Sequence, residues 1–433
     1  MGGVPEYHGP FGKQQAERLL WRAGFGARAG EAEALTKLGM KHAVHALTRP
    51  APYQLIGPAP VDEKGRPIAP DDAFGHDHLF WLDRMVRTNA PMIERMAFIW
   101  HDWFATSNQG VTSQRLMLNQ NELFRGNALG SFHDILLDVT QDPAMLVWLN
   151  GNQNVKGNPN ENYGREMMEL FTLGANRGAY TETDVRENAR ALTGWQGSVV
   201  AQQPTAFTFN PARHDTGNKT IFNQTGNFDW TDSCRLCLNH PLHPSFFVTK
   251  LWSYFVPTPP DKATVAGLSE LYAGKWLVRP VVEAILTHPD FYNGPRMVKP
   301  PVVLNAGLLR MRNRYIDTSV WWSLSAQAGQ QLFYPPDVGG WDFTRWLDTA
   351  TFRGRWFIAA IVQGAQTPSG APSDPKALVQ NAIAFWASPT VSSTTQGLLQ
   401  EFAAAQLKRG AAPTDVQTAL YRLVASSPDL QTA

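Results

Sequence analysis

The sequence predicts a mainly α, multi-helical globular fold with a small β-hairpin insertion near residues 198-230. Apolar side chains recur at spacings of three and four residues along most of the chain, which indicates helices with one buried face. Residues 198-230 are the exception, because short β-prone runs alternate there with turn-forming residues. Hydrophobic residues make up 43% of the 433-residue chain and charged residues 17%, a composition that supplies a large buried core.

Helical periodicity falls into two groups, one on each side of the β-prone region. Residues 50–70 carry several Pro and Gly and predict a long surface loop within the first group. A later loop, residues 334–344, has two prolines followed by two glycines, so we expect a rigid start and a close backbone approach at its centre. The predicted helices cover residues 13–22, 31–48, 76–88, 91–105, 112–125, 130–140, 231–256, 261–273, 277–287, 299–313 and 319–329.

The β-prone region contains two short runs, residues 207–210 (FTFN) and 219–222 (KTIF), separated by the turn-forming segment PARHDTGN. We expect these two runs to pair as a small hairpin, or flap, inserted between helices. Farther along, residues 367-375 (TPSGAPSDP) are typical of a linker. The sequence therefore predicts a main helical domain over residues 1-366 and a C-terminal helical extension over residues 376-433 that packs on it.

Charge and hydropathy argue against two classes of partner. The 38 Lys and Arg residues against 37 Asp and Glu give a formal charge of +1 with no basic stripe, so we expect no nucleic-acid partner. No apolar run approaches the ~20 residues that cross a bilayer, so we expect no membrane insertion. The first residues lack the charged-then-apolar pattern of a secretory signal, which predicts a cytoplasmic location.

A polar stripe in residues 159–174 (PNENYGREMMELFTLG) is the most informative candidate site. At 3.6 residues per turn, Glu161, Arg165 and Glu169 fall on one line of a helix, with Glu166 beside them. One interpretation is a solvated Glu–Arg–Glu ladder of salt bridges. The other is a buried site in which Arg165 keeps one carboxylate ionised while crowding or burial raises the pKa of another, giving an acid and a base.

In the second interpretation, we expect the four stripe residues to be mostly buried and to face His101 or His214 across a cavity. Asn160 and Asn162 lie at the start of the helix, where side-chain amides and unpaired backbone N–H groups suit a polar ligand. His101 lies at the edge of the apolar stripe of its helix. It is either a hydrogen-bonded structural residue or a general base or metal ligand.

The predicted flap and the 334–344 loop supply further substrate-binding candidates. His214 and Asp215 lie in the turn of the flap, where they either cap the turn or, with Lys219, close over a bound molecule. Trp341 makes the loop either a pocket wall with an aromatic platform or a packed corner, and we favour the wall.

The four residues Cys234, Cys237, His240 and His243 have a spacing that invites a zinc site. We predict no metal site there, because consecutive three-residue steps rotate around a helix and prolines interrupt the segment. Buried thiols are the favoured interpretation, and with only two cysteines the chain has no disulfide-rich scaffold.

The 159–174 segment resembles the hallmark of the bacterial domain of unknown function 1800 family. The resemblance implies no established activity, and members of this family often carry secretion signals and neighbour genes of another uncharacterised, sulfatase-like family. Other segments that match in the same order are residues 18–26, 94–107, 121–132, 142–150, 180–195, 214–222, 246–256 and 334–356.

Three functions follow from these candidates. The first is an enzyme with a carboxylate, Arg and His pocket that performs acid–base chemistry, hydrolysis or elimination, on a sugar-like or other polar substrate. The second is a non-catalytic binding or assembly protein that partners another gene product. The third is a metal-dependent hydrolase or oxidase that uses His101, Glu166 and Glu169. The sequence specifies no cofactor.

Overall fold

The computed structural model describes residues 3–364, 368 and 370–433, and it confirms the mainly α prediction. Within these described ranges, 56% of the structure is helical and the strands form only small two-stranded sheets. Among the described residues, no helix is long and apolar enough to cross a membrane. The α-helices, numbered α1 to α23 in chain order, are Lys13–Arg22, Glu31–Leu38, Met40–Thr48, His76–Arg87, Pro91–Trp103, Asn108–Val111, Gln114–Gly126, Phe132–Gln141, Pro143–Trp148, Asn162–Glu166, Glu182–Ala191, Trp230–Leu238, His243–Ser253, Lys262–Tyr272, Val278–Leu286, Pro289–Asn293, Pro301–Met311, Val320–Gln327, Thr349–Gln363, Pro375–Phe385, Ser393–Lys408, Pro413–Ser426 and Pro428–Gln431.

Two helices that the sequence predicts as continuous are each broken in two. The 31–48 helix divides into α2 and α3 at Gly39, whose φ of 76° and ψ of 162° place it where residues with a side chain are strained. The 231–256 helix divides into α12 and α13, because the chain turns between Asn239 and Leu242 around Pro241. In both places the apolar periodicity resumes after the break, so periodicity alone predicts one continuous helix.

The β structure lies between residues 195 and 226, as predicted, but its pairing differs from the expected hairpin. The segment 208–209 pairs with the earlier 195–196, and 219–221 pairs with the later 224–226. The second hairpin forms because Phe222 and Asn223 both adopt positive φ, 49° and 62°, which matches a tight two-residue turn. The strands β1 to β6 are Trp195–Gln196, Val199–Val200, Gln203–Pro204, Thr208–Phe209, Lys219–Ile221 and Gln224–Gly226, paired antiparallel as β1–β4, β2–β3 and β5–β6.

Helices α5 and α17 run through the core. Every residue of α17 is buried, and α5 is buried at every position except Ile93 and Asp102. The polar residues Glu94, Arg95 and His101 of α5 are therefore buried inside the protein, although they do not all lie on one face of the helix.

The last helices pack against the rest of the chain. Arg422 on α22 donates from Nε to Gln363 Oε1 at 3.0 Å, and Arg312 donates from Nη1 to the Phe385 carbonyl at 2.6 Å. The chain end pairs with the 297–299 segment, through Met297 and Ala433. The predicted boundary at residues 366 and 367 lies outside the described residues, so the division into two units stays a prediction.

Arg22 ties the first helix to three distant segments, and its loss should destabilise the whole fold. Its Nη1 donates to the Phe255 and Phe291 carbonyls at 3.1 and 3.2 Å, and its Nη2 donates to the Pro295 carbonyl at 2.8 Å. We predict that Arg22→Met lowers the free energy of unfolding by about 3 kcal/mol or more, because buried carbonyls lose their donors. Urea denaturation measures the change.

The matched control is Arg235→Met, which removes a half-exposed pair with Asp232 within α12. We expect it to change the free energy of unfolding by no more than about 0.5 kcal/mol. Equal effects of the two substitutions would contradict the role assigned to Arg22.

Candidate functional site

The Glu161–Arg165 part of the predicted stripe forms a ladder of ion pairs that is open to solvent. Arg165 Nη2 lies 3.0 Å from Glu161 Oε2 and 2.7 Å from Glu182 Oε2 on α11. The side chains of Arg165 and Glu161 are 33% and 37% exposed, so both are only partly buried. The physical reason is that Tyr163 and Met167 already fill the buried side of this helix.

Glu166 and Glu169 are half-buried on the same surface. Burial, with a smaller contribution from the neighbouring Glu169 charge, raises the pKa of Glu166. Glu169 accepts a long hydrogen bond of 3.4 Å from the Tyr180 hydroxyl. Among the described residues, no hydrogen bond or ion pair joins either glutamate to His101 or His214.

Asn160 and Asn162 organise the chain before the helix. The Asn162 backbone N–H donates to Asn160 Oδ1 at 3.0 Å, and the Asn162 amide donates to Asn150 Oδ1 at 3.0 Å. The Asn160 backbone N–H donates to Asn154 Oδ1 at 2.9 Å. These contacts give both residues a structural role at the start of α10.

A π-helical segment, Met167–Thr172, continues α10 towards the core and presents backbone carbonyls there. Three side chains from other helices bind these carbonyls. Lys250 Nζ donates to Leu170 O at 2.9 Å, Trp103 Nε1 to Phe171 O at 3.1 Å, and His243 Nδ1 to Thr172 O at 2.8 Å. The predicted stripe is thus the outer edge of a segment whose inner edge is held by α5 and α13.

His243 and the cysteines are internal groups. Because a carbonyl can only accept, His243 carries its proton on Nδ1, and its Nε2 accepts from the Tyr272 hydroxyl at 2.8 Å. Burial lowers the pKa of His243 to about 4. Cys234 and Cys237 are buried thiols, as predicted, and burial raises the pKa of Cys234 to about 12.

The flap residues form a closed network with α11. Arg190 Nε lies 2.8 Å from Asp215 Oδ2, and His214 Nδ1 lies 2.9 Å from the Thr193 carbonyl. Lys219 is buried, and its ammonium group donates to the carbonyls of Asp215 and Phe228 and to Asn227 Oδ1. The Lys219 ammonium group is therefore bound by oxygen atoms of the protein itself.

His101 lies inside an aromatic enclosure that includes Trp341. Its ring is 5.3 Å from Trp81, 5.6 Å from Phe333 and 5.4 Å from Trp341, measured between ring centroids. Burial lowers its pKa to about 3, so the imidazole is neutral at physiological pH. Its Nε2 atom has no hydrogen-bond partner among the described residues. The structure therefore brings together two predicted residues, His101 and Trp341, apart from the stripe.

Asp102, the next residue after His101, fixes the 334–344 loop to α5. Its Oδ1 accepts the Trp341 backbone N–H at 2.9 Å, and its Oδ2 accepts the Tyr254 hydroxyl at 2.8 Å. Gly340 has a φ of 90° and passes so close to the Asp102 carboxylate that a Cβ atom would collide with it. The predicted close backbone approach at the centre of this loop occurs here.

Asp102 and Tyr254 also border a cavity of about 310 Å³, which we call the Asp102 cavity. Its volume is at the lower end of the range for small-molecule sites. Phe98 and Arg95, one and two turns before Asp102 on α5, line it from the same face of the helix. The remaining wall is largely apolar and includes Met297, Val298, Pro257, Pro300, Phe343 and Trp346.

The ionisable groups beside the cavity have pKa values that differ from their ordinary values. Burial raises the pKa of Asp102, while its hydrogen bonds and the nearby Lys250 ammonium oppose that rise. Burial also lowers the pKa of Lys250 to about 8. The Lys250 Nζ atom lies 4.5 Å from the centre of the Trp103 ring, where the π-electrons face its charge. Burial and the Asp102 charge raise the pKa of Tyr254, so its phenol is neutral.

Trp341 lines a second cavity, of about 370 Å³, on another side of the same loop. Tyr334 and Trp346 contribute further aromatic surface, and Gln330 contributes a buried amide. The Nε2 atom of Gln330 and the Nε1 atom of Trp346 have no partner among the described residues. Trp341 is thus a pocket wall as well as a packed residue.

Sequence reasoning missed Arg95, Asp102, Lys250 and Tyr254. All four lie in the matching segments 94–107 and 246–256. For Arg95, Asp102 and Lys250 the available signal was a charged residue inside an otherwise apolar helix. No group of three or more His, Cys, Asp or Glu side chains suited to a metal ion was found within the described ranges.

Comparison with known proteins identifies a family. The model of the family described as "Protein of unknown function (DUF1800)" matches residues 18–432. No curated protein and no solved structure matches the chain.

His101 should make the fold sensitive to acid. Its ordinary pKa of 6.5 falls to about 3 in the folded protein, so the unfolded chain takes up the proton first as the pH drops. The stability that His101 contributes above pH 6.5 should be lost between pH 6.5 and 3, by about 1.4 kcal/mol per pH unit. We predict that His101→Phe reduces the slope of the free energy of unfolding against pH by the amount that corresponds to one proton. Urea denaturation across this pH range measures the slope. Identical slopes for the two proteins would contradict a neutral, buried His101.

Proposed function

Since the chain belongs to the DUF1800 family, whose members are described only as of unknown function, we propose its function from its own site: the Asp102 cavity is the active site of an acid–base enzyme. The observation that carries the proposal is one hydrogen bond. Asp102 Oδ2 accepts the Tyr254 hydroxyl at 2.8 Å, and both side chains border the same cavity. A carboxylate and a phenol in that arrangement can pass a proton to or from a bound molecule.

Asp102 acts as the base and then as the acid in this proposal. The Tyr254 oxygen accepts a proton from the substrate while the Tyr254 hydroxyl proton moves to Asp102 Oδ2. Burial raises the pKa of Asp102, which makes the protonated carboxyl accessible nearer to neutral pH. Reversal of the two transfers returns the proton to a leaving group, as hydrolysis or elimination requires.

Lys250 and the 334–344 loop hold Asp102 in position. The Lys250 charge favours the ionised carboxylate at rest, so that Asp102 can accept a proton. The Trp341 backbone N–H occupies Oδ1 and leaves Oδ2 to Tyr254. Both are positioning groups, because neither Lys250 nor the Trp341 amide needs to touch the substrate.

The largely apolar wall changes the expected substrate. Phe98, Met297 and Val298 offer no hydrogen bonds to a ring of hydroxyl groups. The Asp102 cavity therefore suits a substrate with an apolar body better than the sugar-like substrate that the sequence suggests. The second cavity, with its Gln330 amide and Trp341, is the better match for a hydroxyl-rich molecule.

We predict that a set of chromogenic esters, amides and glycosides of small acids contains a substrate class that the protein turns over. On that class Asp102→Asn should lower kcat by about 100- to 10,000-fold, because it removes the proton acceptor and nearly preserves the shape. Tyr254→Phe should lower kcat in the same direction. Initial rates at saturating substrate measure both effects.

Two further variants distinguish this site from its rivals. Asp83→Asn changes another buried carboxylate, which pairs with Arg87 at 2.8 Å on α4, and should leave kcat within about twofold. Glu166→Gln tests the stripe: loss of activity there, with Asp102→Asn active, would place the reaction at the stripe. Failure of every substrate class would favour a binding or assembly protein.

A further inference from the structure

We propose that the Asp102 cavity binds a small carboxylate with an apolar body, and that Arg95 is the residue that pairs with its carboxylate. The inference rests on the proposed function, since it names the substrate class of the same cavity. It adds a recognition residue, Arg95, which transfers no proton and sets which molecules enter.

Arg95 is a cation with no counter-ion in the part of the chain that the structure describes. Its side chain lines the cavity, its residue is 3% exposed, and its Nε and Nη1 atoms have no hydrogen-bond partner among the described residues. Burial alone lowers its pKa to about 10, with no carboxylate near enough to oppose the change. An unpaired buried charge costs several kcal/mol, so a fold that retains one gains from it in another state.

The other deeply buried arginines of this protein show that Arg95 is exceptional. Arg310 pairs with Glu31 Oε2 at 3.1 Å and also donates to backbone carbonyls. Arg355 donates to the Trp346 and Lys299 carbonyls at 2.7 and 2.8 Å. The fold thus satisfies such groups with its own acceptors, and the acceptor for Arg95 is expected to be the ligand.

Arg296, the other arginine that lines the cavity, already pairs with a carboxylate of the protein. Its Nη1 lies 2.6 Å from Asp429 Oδ1, and its side chain is 42% exposed. Arg95 is therefore the free positive charge that a ligand meets in this cavity, as far as the described residues show. One guanidinium carries a single positive charge, which matches a singly charged carboxylate better than a doubly charged phosphate.

The order of side chains along α5 sets the shape of the ligand. Arg95, Phe98 and Asp102 follow one another on the same face, and seven residues of helix place Arg95 about 10 Å from Asp102. The carboxylate lies at the Arg95 end, the apolar body crosses Phe98, and the reacting group reaches Asp102 and Tyr254. The cavity volume of about 310 Å³ limits the ligand to a small molecule.

Isothermal titration calorimetry of the full chain with phenylacetate, phenylacetamide and acetate tests the inference. We expect saturable binding of phenylacetate at least tenfold tighter than that of its uncharged amide and of acetate, which lacks the apolar body. Arg95→Met, which keeps an unbranched apolar stem and removes the charge, should weaken phenylacetate binding at least tenfold and abolish the preference for the acid. The Tm of unliganded Arg95→Met should equal or exceed that of the wild type, because an unpaired buried charge is gone.

Arg310→Met is the matched control, since it removes a buried arginine that has a partner. It should lower the Tm and leave the affinity for phenylacetate within about threefold of wild type. The inference is overturned if phenylacetate does not bind at millimolar concentration, if it binds no better than its amide, or if Arg95→Met lowers the Tm as Arg310→Met does.

The outcome is separable from that of the proposed function. If Asp102→Asn and wild type bind phenylacetate equally through Arg95 but no substrate class is turned over, the ligand class stands and the catalytic proposal fails. If turnover depends on Asp102 but kcat/KM is unchanged in Arg95→Met, the catalytic proposal stands and this inference is overturned.

Discussion

The ammonium group of Lys250 links the π-helical segment Met167–Thr172 to Asp102. On one side it donates to the Leu170 carbonyl of the π-helical segment, at 2.9 Å, and on the other its charge acts on Asp102. The low pKa of Lys250, about 8, shows how much burial opposes this charge. Its attraction to Asp102, to a carbonyl dipole and to the Trp103 ring offsets that cost. The 159–174 segment therefore matters less for its exposed carboxylates than for the carbonyls it presents to α5 and α13.

Asp102, which the Lys250 charge acts on, in turn holds the 334–344 loop and borders the cavity. Its two oxygens accept from the Trp341 backbone N–H and the Tyr254 hydroxyl, so one residue on α5 fixes both a loop and the phenol that directly follows α13. Gly340 allows the loop backbone to approach Asp102 because glycine has no Cβ atom, and a Cβ atom there would collide with the Asp102 carboxylate. The fold thus uses a conformational property of one glycine and the charge of one lysine to hold a single carboxylate beside a cavity.

The sequence predicts the helices well because most of them expose one face, and the apolar period of α1, α4 or α14 locates them closely. Periodicity does not show the break at Gly39 or the pairing of β1 with β4, since both depend on backbone dihedral angles and on distant contacts. The site is harder for a different reason. Helix α5 is buried on almost every side, so no polar face identifies Arg95 or Asp102, whereas the regular charges at Glu161 and Arg165 mark a surface ladder.

The central claim is that Asp102 is a proton-transfer group whose pKa is raised by burial, and its titration tests this most directly. Carboxyl carbon resonances of aspartate, recorded by nuclear magnetic resonance across a pH series in wild type and Asp102→Asn, assign the Asp102 signal by its loss in the variant. We expect a midpoint above the ordinary aspartate value of 3.8. A midpoint at or below 3.8 would show that the Tyr254 and Trp341 hydrogen bonds and the Lys250 charge outweigh burial. Asp102 would then be a permanently ionised structural anchor, which contradicts the account.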